Sequence, residues 1–281
     1  MPDMIPAPLV SSEWLYRHIH EVALIDGSFT LEAGAGRLAY LQAHVPGAVY
    51  FDIDEICDQA SPLPHMVPSA DQFAAAVGVM GIARETPVVV YDTAMGAPRV
   101  WWMFRLFGHH QVAVLDGGLR DWMGAGYPIA TGVEAPPPVI YQGAALEPTR
   151  LAHLRDVQSS ASPILDSRSQ GRFEGLEAEF RPGLADGHIP GSANLPYERL
   201  LQLRTGRMKD AHTLRALFDE VGVDIDQPWI STCGSGVTAC YLALAAQVAG
   251  GQGTPAVYDG SWTEYGASGL PVATGKGKSG G

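Results

Sequence analysis

Cysteine is scarce in this sequence. Its three cysteines, Cys57, Cys233 and Cys240, cannot all pair within the chain because their number is odd. A disulfide-stapled secreted scaffold is therefore excluded. Few and unpaired thiols are typical of a reducing compartment, where each thiol is either buried or chemically active. We therefore expect a cytoplasmic protein.

Basic residues and long apolar runs are also scarce. The chain has 18 Lys and Arg against 30 Asp and Glu, a net charge of −12. Nucleic acids and anionic membrane surfaces bind basic faces, so neither partner is expected. The most apolar stretch, residues 237–248, is predicted to be a helix and is too short to span a bilayer. The first ten residues lack the pattern of a signal peptide. Hydrophobic residues at 46% nevertheless suffice for an ordinary globular core.

The 281-residue sequence contains one internal repeat. The segment HVPGA at 44–48 returns as HIPGS at 188–192, DGG at 116–118 returns as DGS at 259–261, and PIATG at 128–132 returns as PVATG at 271–275. The three matches keep their order at almost one offset. The sequence therefore predicts a duplicated domain, which is too long for a solenoid repeat.

Each half alternates short apolar runs with amphipathic helical segments. Residues 88–92, VVVYD, are typical of a buried parallel strand that ends in a carboxylate, and Ser69 with Gln72 predicts a capping box before a helix. This alternation predicts the α/β class, with two tandem domains, each a parallel sheet flanked by helices. We expect the domains at 1–135 and 149–275, a proline-rich linker at 136–148 and a flexible tail at 276–281.

Cys233 follows the apolar run 229–232 and opens the loop CGSGVTA. Ligands of parallel sheets bind at the carboxyl ends of strands, where loops lead into helices. The two glycines of the loop allow successive N–H groups to turn inward and stabilise a thiolate, with help from the helix dipole. Cys233 is therefore the predicted nucleophile. Cys240, inside the next helix, and Cys57 are expected to be inert.

No metal or nucleotide site is predicted. The pair His109 and His110 lacks acidic or cysteine partners at ligand spacing, and no Gly-rich phosphate loop precedes a helix. The cysteine loop also lacks the arginine that a phosphatase of similar architecture would need to hold a phosphate dianion.

These segments resemble a known family. The loop CGSGVTA, the segments HIPGSANLPY and YDGSW, and in the first half HVPGAVYFDID, APRVWWMFRLFGHH and LDGGLRDW are similar to the tandem-domain rhodanese superfamily. The loop resembles its 3-mercaptopyruvate sulfurtransferase form. The thiosulfate sulfurtransferase form has CRKGVT, with basic residues in place of Gly234 and Ser235. The resemblance covers nearly the whole chain.

The resemblance implies a function for the second half of the chain. Only the C-terminal domain of these proteins is catalytic, and Asp92 stands here where the repeat would place a cysteine in the first half. Cys233 would carry sulfur as a persulfide. Arg172 and Arg181 match the two arginines that bind the carboxylate and keto groups of the donor. One departure is Phe180, where the family commonly has a proline before the second arginine.

The resemblance also implies residues for moving protons and for holding the sulfur. Asp54 and His65 match a carboxylate and an imidazole that the family places near the loop serine, here Ser235, across the domain interface. The backbone of the loop would stabilise the thiolate and the persulfide. Its implied substrate-binding residues are Gly234, Gly236, Val237 and Thr238.

The implied enzyme takes sulfur from a small-molecule donor, 3-mercaptopyruvate, and releases pyruvate. The acceptor would be a thiol, cyanide or a thioredoxin-type protein, and no cofactor is needed because the cysteine itself carries the sulfur. Two alternatives stay open. One is a thiosulfate:cyanide sulfurtransferase, and the other is a non-catalytic module that senses sulfur or binds a partner.

Overall fold

The chain forms two compact units in the computed structural model, which describes residues 4–277. The last four residues of the predicted tail lie outside the described residues. The first unit comprises the described residues up to Gln59, Val67–Glu147 and Gln202–Met208. The second comprises Ala60–Met66, Pro148–Leu201 and the described residues from Lys209 onward. Each unit thus includes one short segment from the other half of the sequence, and no repeat or linker signal marks these two segments.

Each unit contains a parallel sheet, which has five strands within residues 4–277. The strands of the first unit are β1 (Leu9–Val10), β2 (Ala23–Asp26), β3 (Ala48–Tyr50), β4 (Val88–Tyr91) and β5 (Val112–Leu115). Those of the second unit are β6 (Leu151–Ala152), β7 (Ile164–Asp166), β8 (Ala193–Asn194), β9 (Ile230–Thr232) and β10 (Ala256–Tyr258). The strand orders are β1-β5-β4-β2-β3 and β6-β10-β9-β7-β8. Because the two orders correspond strand for strand, the structure confirms the predicted α/β architecture and agrees with a duplication.

Helices connect the strands in both units. The helices of the first unit are α1 (Ser12–His18), α2 (Ala35–Gln42), α3 (Ala70–Val79), α4 (Ala97–Leu106) and α5 (Gly118–Gly124). Those of the second unit are α6 (Leu154–Ser159), α7 (Gln170–Glu174), α8 (Ala211–Glu220), α9 (Ala239–Val248) and α10 (Ser261–Tyr265). Short 3-10 helices cover Pro148–Arg150 and Tyr197–Leu200. The predicted capping box is confirmed: Ser69 Oγ accepts from Gln72 N at 3.2 Å, and Gln72 Oε1 accepts from Ser69 N at 2.8 Å.

The central strands and the helices that follow them form the core. All four residues of β4 are fully buried, and so are most side chains of α4 and α9. Because most of their side chains are buried, these two helices pack inside their units rather than on the surface. In the described part of the chain, no helix is both long and apolar enough to cross a membrane.

The repeated sequence motifs pair with each other in the same way in both units. His44 N donates to Ala130 O at 3.0 Å, and His188 N donates to Ala273 O at 2.8 Å. The histidine rings are buried and bond to backbone carbonyls through Nδ1. Both histidines therefore hold a turn against the segment that ends each repeat.

Candidate active site

The loop that carries Cys233 emerges from the middle of the second sheet. Its strand β9 lies between β7 and β10, so the ends of all three strands meet at one edge. Cys233 follows β9 directly and is 2% exposed. The chain turns at Gly236, whose φ is +77°, and α9 begins at Ala239 rather than at residue 237 as predicted. Thr238 instead forms the N-cap, and its hydroxyl lies 3.0 Å from Ser167 Oγ.

The carbonyl groups of this loop point toward α10. Cys233 O accepts from Trp262 N at 2.9 Å, and Gly234 O accepts from Thr263 N at 2.9 Å and Thr263 Oγ1 at 2.7 Å. In a trans peptide the N–H points opposite to the preceding C=O. The N–H groups of Gly234 and Ser235 therefore point away from α10, as an anion-binding loop requires.

Ser261 supports the loop from α10, and sequence reasoning missed it. Its Oγ accepts from Cys233 N and from Gly236 N, both at 3.1 Å, and donates to Tyr258 O at 2.7 Å. The same oxygen lies 4.0 Å from Cys233 Sγ. The residue is fully buried and has φ +48°, a left-handed conformation that is uncommon for a residue with a Cβ.

The repeat carried a signal for Ser261. Its counterpart in the first half is Gly118, which has φ +59°. A serine at the position of a left-handed glycine stores strain, and such strain occurs most often at functional sites. The position could have been selected from the sequence by comparing the two DG motifs.

Both predicted arginines lie beside the cysteine loop. A methyl group added at the Cα of Gly234 would lie 3.3 Å from Arg172 Nη2 and 3.6 Å from Arg181 Nη1. Arg181 Nη2 donates to Ser235 Oγ at 3.5 Å. Burial lowers the pKa of Arg181, and the positive charge of Arg172 lowers it further, while Cys233 opposes the shift. Two guanidinium groups thus converge on one small volume above a glycine.

A buried carboxylate holds Arg172 in place. Glu179 Oε2 accepts from Arg172 Nη2 at 2.6 Å, and Glu179 Oε1 accepts from Arg168 Nη1 at 2.7 Å. Arg168 also donates to Asp166, and its side chain is 1% exposed against 18% for Arg172. Burial by itself would lower the pKa of Arg168, but the carboxylates of Asp166 and Glu179 outweigh it and the pKa is raised. Glu179 was not predicted, because its partners come together only in the folded chain.

Asp54 and His65, the two residues predicted to move protons, lie in different units. His65 belongs to Ala60–Met66 and hence to the second unit, together with Cys233 and Ser235, although the sequence placed it in the first domain. It is 7% exposed and has φ +61°. Asp54 belongs to the first unit. Partial burial and the neighbouring Asp52 raise the pKa of the Asp54 carboxyl. The joint action of Asp54, His65 and Ser235 stays a prediction.

The other two thiols have different surroundings from Cys233. Cys240 is fully buried inside α9, and its Sγ donates to Gly236 O at 3.3 Å. Cys57 is partly exposed, and its Sγ donates to Asp54 O at 3.1 Å. Neither follows a central strand of a sheet.

The first unit has a carboxylate where the second has its thiol. Asp92 directly follows β4, and its Oδ2 accepts from Ala97 N at 2.8 Å at the start of α4. A carboxylate cannot hold sulfane sulfur. In the first unit the residue at this position caps α4 instead. Within residues 4–277, no three His, Cys, Asp or Glu side chains are grouped so that they could hold a metal ion.

The fold and the site define a class of protein: two parallel α/β domains with a single cysteine loop at the sheet edge of the second. Comparison with known families gives the same result. The Rhodanese-like domain model matches residues 11–125 and 148–268. The chain belongs to the rhodanese family, as a tandem-domain member.

Individual relatives carry two different activity names. The chain is 40% identical to the 3-mercaptopyruvate sulfurtransferase of Homo sapiens over 96% of both chains. It is 43% identical to the thiosulfate sulfurtransferase of Cricetulus griseus over 92% of this chain and 91% of the relative. Among solved structures it is similar to SseA from Escherichia coli, a 3-mercaptopyruvate sulfotransferase, with a TM-score of 0.80, 35% identity and coverage of 91% and 99%.

Proposed function

We propose that this protein is a sulfurtransferase that takes sulfur from 3-mercaptopyruvate, carries it as a persulfide on Cys233 and passes it to a thiol acceptor. The observation that carries the proposal is the position of Arg172 and Arg181, both beside Gly234 in the cysteine loop. An α-keto carboxylate offers two adjacent oxygen groups, and guanidinium forks bind such groups with defined geometry. The donor would therefore sit with its thiol sulfur next to Cys233.

The first half-reaction moves one sulfur atom. The Cys233 thiolate attacks the donor sulfur, an S–S bond forms, and the C–S bond of the donor breaks. The electron pair of that bond leaves with the pyruvate enolate, whose oxygen Arg181 and Arg172 stabilise as its charge develops. The proton of the donor thiol ends on the enolate carbon, which gives pyruvate and a deprotonated persulfide.

Ser235 and His65 are suited to carry that proton. Ser235 is 7% exposed in the cysteine loop, and Arg181 donates to its hydroxyl, so the serine oxygen already faces the donor-binding arginines. His65 belongs to the same unit, and an imidazole is a common general base in enzymes. The family resemblance implies that Asp54 also takes part in this proton transfer.

The loop backbone would hold the sulfur between the two half-reactions. N–H groups from Gly234 to Thr238, among them that of Val237, favour the anionic sulfur of a persulfide. The N–H of Gly236 is the exception, because it already donates to Ser261 Oγ. Cys233 is 2% exposed, which shields the sulfane sulfur from bulk water.

In the second half-reaction an acceptor thiolate or cyanide attacks the outer sulfur, and Cys233 leaves as the thiolate. A reduced thioredoxin-type protein is an acceptor of the same chemistry. Such thiols are abundant in the cytoplasm, which is the proposed location and agrees with three cysteines that form no disulfide within residues 4–277. Cell fractionation of the native protein tests this location.

Thiosulfate:cyanide transfer is the second candidate, because relatives with both names are about equally similar to the chain. The resemblance places basic residues at 234 and 235 in the thiosulfate form. This chain has Gly234 and Ser235 at these positions, and the absence of both basic residues favours mercaptopyruvate as the donor.

The deciding experiment compares kcat/KM for 3-mercaptopyruvate and for thiosulfate with one acceptor. We expect pyruvate release and a higher kcat/KM for mercaptopyruvate. A higher value for thiosulfate would select the second candidate, and no turnover of either donor would select a non-catalytic module.

Intact-mass spectrometry tests the sulfur carrier directly. After treatment with donor and no acceptor, wild type and Cys240→Ser should each gain one sulfur atom, because Cys240 faces a carbonyl inside a helix. Cys233→Ser should gain none and should release no pyruvate. Sulfur loading of Cys233→Ser would end the persulfide mechanism.

A further inference from the structure

Phe180 contacts both arginines that the proposed function assigns to donor binding. The centroid of its ring lies 4.5 Å from Arg172 Cζ and 5.0 Å from Arg181 Cζ. A guanidinium within about 6 Å of an aromatic face is attracted by the quadrupole of the ring. The ring is 51% exposed, so its position is not explained by burial in a core.

The two guanidinium groups need such a contact because they carry like charges at close range. Both approach the same point above Gly234, and Arg172 is one of the groups that lower the pKa of Arg181. Glu179 anchors Arg172 through two hydrogen bonds. The Arg181 side chain is fixed less firmly than that of Arg172, because its hydrogen bond to Ser235 is 3.5 Å long.

An unanchored arginine side chain samples many rotamers and must lose that freedom when an anion binds. The Phe180 ring attracts both guanidinium groups before the donor binds. It thereby removes part of the entropy cost of ordering the two side chains. It also offsets part of the repulsion between Arg172 and Arg181, because the face of the ring is negative.

We propose that Phe180 is a positioning residue that holds Arg172 and Arg181 together in the arrangement that binds an α-keto carboxylate. The identity of this ligand rests on the proposed function, whereas the arrangement of the two arginines does not. Phe180 touches the cations rather than the reacting sulfur, so it acts in the ground state as well as in the transition state. Its loss should therefore weaken binding and leave the chemical step nearly unchanged.

Pyruvate, a stable α-keto carboxylate, is the probe for the binding test. Isothermal titration would measure its Kd for wild type, Phe180→Leu, Phe180→Tyr and Leu176→Ala. Leucine keeps an apolar side chain without the π face, whereas tyrosine keeps the face. Leu176 is the matched control, an apolar residue 78% exposed in the same loop.

We expect Phe180→Leu to weaken pyruvate binding roughly two- to tenfold, the range of a partly exposed cation–π contact. Phe180→Tyr and Leu176→Ala should stay within about twofold of wild type. Equal Kd values for wild type and Phe180→Leu would overturn the proposal, and so would a tyrosine variant as weak as the leucine variant.

Kinetics separate positioning from a structural role. Phe180→Leu should raise KM for mercaptopyruvate by a similar factor with kcat almost unchanged, and persulfide discharge should not change. A loss of kcat with both donors together with a lower Tm would overturn the proposal. If wild type released no pyruvate from mercaptopyruvate, the proposed function would fall, and pyruvate binding would still decide the role of Phe180. Wild type that bound no pyruvate would overturn the role of Phe180 alone, because pyruvate release from mercaptopyruvate decides the proposed function.

Discussion

The hydroxyl oxygen of Ser261 accepts the backbone N–H of Cys233 at 3.1 Å. To place its hydroxyl there, Ser261 adopts φ +48°, a conformation that ordinarily favours glycine. The backbone of Cys233 is thus fixed by a residue whose own backbone is strained. Two buried amides, those of Cys233 and Gly236, donate to this one oxygen. The free energy of these hydrogen bonds offsets the free energy of the backbone strain.

Replacing Ser261 separates the strain from the hydrogen bonds. Ser261→Ala leaves two buried donors without their acceptor and keeps the strain, so we expect a loss of roughly 1–3 kcal/mol in the free energy of unfolding. Ser261→Gly loses the same bonds but relieves the strain, so it should be about 1 kcal/mol more stable than the alanine variant. Urea unfolding measures both.

Both Ser261 variants should also load sulfur more slowly, because the loop that holds Cys233 is no longer fixed. Ser192→Ala is the control, since Ser192 is fully buried and donates only to Ile189 O. It should load sulfur at the wild-type rate. A glycine variant less stable than Ser261→Ala would contradict the presence of strain at this position.

Arg172 and Arg168 share Glu179, yet we expect their substitution to have different effects. Arg172→Ala should lose about 2–4 kcal/mol of transition-state stabilisation with mercaptopyruvate, the range for removing one partner of a charged hydrogen bond. Thiosulfate has neither a carboxylate nor a keto group, so its reaction should suffer less. Steady-state kcat/KM values for the two donors measure the difference.

Arg168→Ala is the matched comparison, because the Arg168 side chain is only 1% exposed and pairs with Asp166 and Glu179. It should lower stability by about 3–5 kcal/mol, since it leaves buried carboxylates without their cation. Its activity loss should be proportionally equal for both donors. An equal loss for both donors in Arg172→Ala would instead mean that Arg172 acts only through the fold.

His65 and Ser235 should act as a unit in the first half-reaction. His65→Ala should slow pyruvate release by about 10²-fold, the low end for a general base, because a thiol ionises readily. Ser235→Ala should give a similar loss, and the double variant should be little worse than either single one. Single-turnover kinetics that follow pyruvate release and persulfide discharge separately would measure this. Additive losses, or a defect confined to discharge, would exclude a shared proton path.

Buried His109 should make the fold sensitive to acid. Its Nε2 lies 3.0 Å from Thr86 O and its Nδ1 3.1 Å from Tyr141 Oη, and burial lowers its pKa to about 4. Between the unfolded pKa of about 6.5 and pH 4, the unfolded chain binds a proton that the folded chain does not. Stability therefore falls as the pH drops through this window, by on the order of 3 kcal/mol from this residue.

His109→Gln should lose that part of the pH dependence. His212→Gln is the control, because His212 is exposed and belongs to the other unit, and it should keep the wild-type dependence. Chemical unfolding at a series of pH values between about 4 and 7 measures the slopes. Identical slopes for wild type and His109→Gln would show that His109 does not titrate differently on folding.

The sequence by itself determined the architecture and singled out the candidate nucleophile. Apolar runs such as residues 88–92, the capping box at Ser69 and the duplicated turns are local patterns, and local patterns report strands, helices and repeats. Cys233 could be selected because a central strand, a glycine-rich loop and a buried helix follow one another without interruption. The boundary of α9 was missed by two residues, since Thr238 is the N-cap of the helix rather than part of it.

Only the tertiary structure decided what surrounds Cys233. In the folded chain, Ser261 lies against the cysteine loop and accepts the N–H of Cys233. Glu179 pairs with both Arg168 and Arg172. The segment Ala60–Met66, which contains His65, belongs to the second unit. Each of these relationships joins residues from separate loops or elements, and a hydrogen bond or an ion pair leaves no periodic trace in the sequence. Their partners are fixed by how sheet edges and loops converge in space, which depends on the packing of the whole unit.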